Sequence, residues 1–138
     1  MNFIGANILS VDQFNLDDVN TLFSVAEKMQ PYATREKVTK VLDGAILGNI
    51  FLESSTRTRV SFGSAFNLLG GHVRETSDVS SSAFVKGESV RDAARILSGY
   101  SDVICIRHPK SGSVNEFADF SRVPVINVDD GSKENPIQ

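Results

Sequence analysis

Cysteine is almost absent: Cys105 is the only one in 138 residues, so no disulfide can close within the chain. A reducing compartment is therefore expected. Histidine is nearly as scarce, with His72 and His108 alone. A zinc site needs about four ligands, or three and a water, and two histidines with one cysteine at scattered positions do not supply them; no metal is expected. No uninterrupted apolar run approaches transmembrane length, and Met1–Gly5 lacks the basic start and apolar stretch of a signal peptide. A cytoplasmic protein without a membrane partner is expected. Nor is there a marked excess of one charge: 14 basic residues against 17 acidic ones leave a formal charge of -3. That balance removes the electrostatic case for nucleic acid, while local binding of an anion needs only a few well-placed positive groups.

What is present fits one globular domain with a full core: 41% hydrophobic and 22% charged residues. Leu16, Val19, Leu22, Phe23, Ala26 and Met29 share one helical stripe over 16–30, with Asp17 and Asp18 in the first turn where the helix dipole favours acids. The run at 45–52 (AILGNIFL) has the continuous apolarity of a strand covered on both faces. A second amphipathic helix is expected over 57–69 through Phe62, Ala65, Phe66 and Leu69, stopped by Gly70-Gly71. A short strand follows at His72–Thr76, then a serine-rich loop at Asp78–Ala83. A third helix over 88–100 turns Val90, Ala93, Ala94 and Leu97 inward. The strand Asp102–Arg107, a short helix Val114–Phe120 and the strand Val123–Val128 complete the pattern. Strands alternating with helices specify an α/β fold, an open parallel sheet with helices on both faces. Ligands of such sheets sit beyond the carboxyl ends of the strands, which selects the segments after Leu52, Thr76, Arg107 and Val128.

The first of these reads Glu53-Ser54-Ser55-Thr56-Arg57-Thr58-Arg59 between a buried strand and a helix. Unpaired N–H groups and the positive dipole end at a helix start favour phosphate; the hydroxyls of Ser55, Thr56 and Thr58 and the planar fork of Arg57 suit it too. The plainer alternative is that Ser55 or Thr56 caps the helix and the arginines lie in water. Two arginines at the positive end of a dipole weaken that alternative, because cations are disfavoured there without an anion. The other three loops are less decided. Ser80–Ser89 reads by itself as a surface turn, Arg107 at the strand end either reaches solvent or meets an anion, and Asp129-Asp130-Gly131 reads as an acidic turn.

Ser55-Thr56-Arg57-Thr58-Arg59 resembles the S-T-R-T-R phosphate signature of the aspartate and ornithine transcarbamylases, in a matching strand–turn–helix setting. Lys86-Gly87-Glu88-Ser89 with Asp92–Ser98, Arg107-His108-Pro109, Val123–Asn127 and Asp130-Gly131 are similar to later family segments, in order. The K-G-E-S and R-H-P forms are those of the aspartate branch; an ornithine enzyme, differing in acceptor, is the less favoured member of the family.

The resemblance implies the carbamoyl-phosphate-binding domain of that fold over 1–138, with an aspartate-binding second domain absent from the chain. It places Ser55, Thr56, Arg57 and Thr58 on the phosphate and Arg107 on the phosphate and carbonyl oxygen. Ser82 and Lys86 would come from a neighbouring subunit of a homotrimer, and Gln138 would contact the carbamoyl amide. Arg57, Thr58, Arg107 and Lys86 would be the catalytic set. The implied reaction is attack of the L-aspartate amine on carbamoyl phosphate, without cofactor, in de novo pyrimidine biosynthesis, with further assembly with regulatory or other subunits possible. The isolated chain would be inactive, since L-aspartate needs the second domain. One segment departs from the pattern: Asn135-Pro136-Ile137-Gln138 stands where the family has H-P-T-Q or H-P-S-Q. Asn135 still donates a hydrogen bond but has no titratable proton. That change supports a second expectation, a catalytically silent paralogue serving as a binding or assembly module.

Overall fold

In a computed structural model, which describes residues 1–76 and 89–131, the apolar run at 45–52 becomes β1 (Ile46–Phe51), an inner strand. Before it stands α1 (Leu16–Ala33). After it come α2 (Thr56–Leu68), β2 (His72–Thr76), α3 (Val90–Ser98), β3 (Val103–His108), α4 (Ser113–Phe120) and β4 (Val125–Asp130). The four strands form one sheet in the order β2-β1-β3-β4, and every pairing is parallel. The chain leaves β1 for one edge, returns to β1's other side as β3, and reaches the opposite edge as β4. The order reverses between β1 and β3, the place where open α/β sheets present ligand-binding crevices.

Successive side chains of a strand point to opposite faces, and this accounts for the unbroken apolarity of β1. Ile50, with Ile104 and Ile106 of β3, packs under Ala94 of α3 and Val114 and Phe117 of α4. Leu47 and Phe51, with Cys105 and Val128, face the other way under Phe62 and Phe66 of α2. Cys105 is 2% exposed, and burial pushes its thiol up to about 12. It therefore stays protonated and acts as a small apolar filler, not a nucleophile. The outer edge of β4 is covered by the N-terminal segment: Ile8 N–H donates to Val125 O at 2.8 Å, and Asn127 N–H donates to Ile8 O at 2.8 Å. That contact blunts an edge otherwise open to another strand.

Two features of α1 differ from the sequence expectation. The helix continues past Gln30 through Pro31 to Ala33, although the proline has no N–H to offer the Glu27 carbonyl one turn earlier. Its apolar stripe is also largely uncovered. Val19 and Leu22 are half-buried, Leu22 lining the space toward Phe14, Val103 and Ile126, but Leu16 is 75% and Phe23 66% exposed. Helical spacing aligns such residues on one side; whether anything covers that side is decided elsewhere. The other elements fall within a residue or two of expectation, while the serine-rich segment expected at Asp78–Ala83 lies outside the described residues.

Gly70-Gly71 ends α2 through a specific hydrogen-bond pattern. Gly70 N–H donates to Asn67 O at 2.9 Å and Gly71 N–H to Phe66 O at 3.1 Å, the two bonds of a Schellman cap. Gly70 has φ +92°, and a Cβ there would lie 2.7 Å from Lys40 Cα. Gly70→Ala should therefore destabilise the fold by about 1–3 kcal/mol, read as a lower midpoint in chemical unfolding; an unchanged midpoint would show that the turn relaxes freely.

Candidate anion-binding site

The chain runs from β1 into α2 over only a few residues, and the neighbouring strand holds that passage in place. Leu52 N–H donates to Arg107 O at 3.0 Å, which continues the β1–β3 ladder one residue beyond Phe51, the register partner of Arg107. The helix then starts at Thr56, with Ser55 at its N-cap in non-helical geometry (φ -158°, ψ 87°). The first intrahelical bond is Arg59 N–H to Ser55 O, 3.0 Å.

This start differs from those of the other helices. Helix α1 has a capping box between Asn15 and Asp18, with Asp17 beside it. Helix α3 has a Ser89 cap and Asp92, and α4 has Glu116 in its first turn. Helix α2 has no side-chain cap and no acid in its first turn. Its dipole end is therefore uncompensated from within the helix, the condition that suits an anion. Ser55 is half-buried and Thr56 and Arg57 are exposed, whereas Thr58 is 4% exposed. The Arg57 side chain makes no hydrogen bond or ion pair with the described residues.

Arg59 has a structural task. Its guanidinium lies 3.3 Å from Glu75 of β2. Asn49 of β1, with no exposed surface, donates from Nδ2 to Arg59 O at 3.0 Å and to Glu75 Oε1 at 3.3 Å. Gly63 lets the helix approach these groups: a Cβ there would stand 3.4 Å from Glu75 Oε1 and 3.5 Å from Asn49 Nδ2. The first turn of α2 is thus pinned to the sheet by its carbonyl side, and its N–H end projects past the strand ends.

Arg107, near the end of β3, is the second positive group. Its side chain is 19% exposed and meets two carboxylates: Nη1 is 2.9 Å from Asp129 Oδ2, and Nε is 3.5 Å from Glu53 Oε2. Nε is buried and makes no hydrogen bond. Glu53 belongs to the passage into α2 and Asp129 to β4, so Arg107 links the loops of three neighbouring strands. Sequence reasoning had Arg107 as a candidate but not these partners; acids at the strand ends were the available signal. Asp129-Asp130-Gly131 is more than a turn, because Asp130 Oδ2 accepts from Gly112 N–H at 3.1 Å, at the start of α4.

The fold thus gathers Ser55, Thr56, Arg57, Thr58 and Arg107 at one edge of the sheet. Ser82, Lys86, Asn135 and Gln138 lie outside the described residues. Chemically, the gathered set brings helix N–H groups, hydroxyls, a solvent-facing Arg57 and an acid-paired Arg107 to one end of the sheet, a donor set that suits a small, multiply charged oxyanion.

Residues 6–138 match the family model for the carbamoyl-P binding domain of aspartate/ornithine carbamoyltransferase. The chain belongs to that family. Aspartate carbamoyltransferase catalytic subunits of Cellvibrio japonicus and Dichelobacter nodosus are 66% and 48% identical over the whole chain. The chain spans 41% of the length of the first and 40% of the second. A Trypanosoma cruzi aspartate transcarbamoylase in complex with carbamoyl phosphate and aspartate is 36% identical and superposes with a TM-score of 0.87, over 96% of this chain and 43% of its own. The catalytic subunit of M. jannaschii aspartate transcarbamoylase gives a TM-score of 0.87 at 38% identity, over 94% of this chain and 42% of its own. No helix among the described residues is long and apolar enough to cross a membrane.

Within this carbamoyl-phosphate-binding-family domain, His108 follows Arg107 as the last residue of β3. Its Nδ1 accepts from Lys110 N–H at 3.0 Å, which requires that nitrogen to be unprotonated. Burial lowers the His108 pKa, Lys110 lowers it further, and Asp130 and Glu116 oppose the shift. A folded pKa below the unfolded value means that the unfolded state takes up the proton first. Stability from this group is complete above the unfolded pKa and is lost as pH falls toward the folded one. Between about pH 7.5 and 5.5, the wild-type chain should lose more thermal stability than His108→Gln; parallel losses in the two chains would contradict this.

Proposed function

We propose that this chain is the carbamoyl-phosphate-binding domain of an aspartate carbamoyltransferase. The observation that carries the proposal is the uncapped, acid-free start of α2, which presents Ser55, Thr56, Arg57 and Thr58 beside Arg107 at the sheet's switch point. In the proposed site the phosphate rests on the α2 N–H groups, the hydroxyls and Arg57. Arg107 and Thr58 reach the carbonyl oxygen, and Gln138 and Asn135 attend the carbamoyl end. The remainder of the enzyme, a second domain, supplies the L-aspartate site.

The chemistry follows from the charges. The α-amine of L-aspartate attacks the carbamoyl carbon, its lone pair forming the new C–N bond. Negative charge grows on the carbonyl oxygen, the bond to the phosphate oxygen breaks, and the amine gives up a proton as phosphate leaves. Fixed positive donors hold the reacting groups together and stabilise the charge on both oxygens as it develops. No cofactor enters these steps.

The proposal includes a homotrimer in which Ser82 and Lys86 complete the site of the neighbouring subunit, and a cytoplasmic role in pyrimidine synthesis. Support for a larger assembly comes from exposed apolar residues: Leu16, Phe23, Val38 and Val41 are 75%, 66%, 86% and 72% exposed.

Arg57→Ala should weaken binding of a phosphonate analogue of carbamoyl phosphate by about tenfold or more, as expected for loss of a charge-assisted hydrogen bond. Calorimetric titration of the folded variant measures it, and unchanged affinity would remove Arg57 from the site. Asn135 and Ile137 favour a second reading, a domain that binds but does not catalyse. In a full-length enzyme carrying this domain, carbamoylation that is low and rises with Asn135→His and Ile137→Thr together would support that reading; high activity without them would end it.

A further inference from the structure

The pairing of Arg107 with Asp129 is made by a residue in a conformation that side chains rarely tolerate. Asp129 has φ +127°, and among the described residues only one other non-glycine, Arg35 at +64°, has a positive φ. Arg35 follows α1 in the ordinary left-handed region, whereas Asp129 lies well outside it. Its backbone is held there by Asn127, 2% exposed. Asn127 Oδ1 accepts from Asp129 N–H at 2.9 Å, and Asn127 Nδ2 donates to Leu9 O at 3.0 Å. The outcome is a carboxylate aimed at the guanidinium 2.9 Å away. Glu53 is the looser partner, at 3.5 Å and with a side chain 44% exposed.

One guanidinium between two carboxylates leaves a local excess of negative charge. A phosphate approaching Arg107 meets that charge unless a carboxylate withdraws or is replaced. We propose that Asp129 is a resident anion on Arg107, which the phosphate group of the ligand displaces, so that Asp129 sets the affinity of the site for phosphate. Backbone strain kept at a ligand-facing residue is the usual mark of such a role, and the unbonded Nε shows that the resident carboxylates leave part of the guanidinium unsatisfied. The proposal rests on the assignment of Arg107 to the phosphate.

The test is calorimetric titration with the carbamoyl phosphate analogue in which a methylene replaces the bridging oxygen, and with inorganic phosphate. The chains are the wild type, Asp129→Asn, Asp129→Gly, Arg107→Ala and Arg107→Ala combined with Asp129→Asn. Glycine takes φ +127° without strain, so Asp129→Gly keeps the fold, and thermal unfolding verifies it. Both single Asp129 variants should bind each probe about two- to fivefold tighter, the scale of a partly exposed ion pair, and the gain should vanish on the Arg107→Ala background. Equal, weaker or absent binding in the Asp129 variants overturns the proposal, as does a gain that persists without Arg107, which would report a general field effect. Arg107→Ala binding as tightly as the wild type would instead overturn the assignment of Arg107 to the phosphate.

Discussion

The parallel pairing of β1 with β3 is the constraint on which the site depends. These strands are separated in sequence by α2, β2 and α3, yet Phe51 and Arg107 lie side by side and Leu52 adds one more bond to the ladder. Parallel strands end at the same edge, so the passage into α2 and the end of β3 emerge together. The two depart in opposite directions, toward β2 and toward β4, and the gap between them is where helix N–H groups and a strand-end arginine can meet one ligand.

Both faces of the sheet serve that arrangement. Ile50, Ile104, Ile106 and Phe117 are buried on one face, and Leu47, Phe51 and Cys105 on the other. Close packing makes such a core resist small displacements, which holds the strand ends at fixed separation. A buried polar tie refines it on the α2 side, where Asn49 bonds the helix through Arg59 O and the edge strand through Glu75. Arg59, the second arginine of the phosphate signature, is thereby committed to the scaffold, while Arg57, two residues earlier, is turned to solvent.

The strand-end edge carries charge of both signs. Asp130 serves the start of α4, and Asp129 and Glu53 serve Arg107. An anion site built beside carboxylates differs from a purely basic cleft: affinity comes from the balance between a ligand and the acids already present. That balance agrees with a chain whose overall charge is slightly negative.

Much of this was legible in the amino-acid order. Continuous apolarity at 45–52, the helical spacing of Val90, Ala93, Ala94 and Leu97, and Gly70-Gly71 each reflect a local rule, and local rules act between near neighbours along the chain. The S-T-R-T-R run was likewise readable, since strand end, helix start and hydroxyl-rich turn are contiguous. The fate of α1's stripe was not, because periodicity aligns Leu16 and Phe23 without saying what covers them. The partners of Arg107 were not either: Glu53 and Asp129 lie far from it in sequence and reach it only through strand register. The sequence by itself determined the elements, their alternation and the positive groups offered to an anion. Only the tertiary structure decided which arginine stays open and which is held by acids, because long-range pairing of charges depends on distances that no local pattern contains.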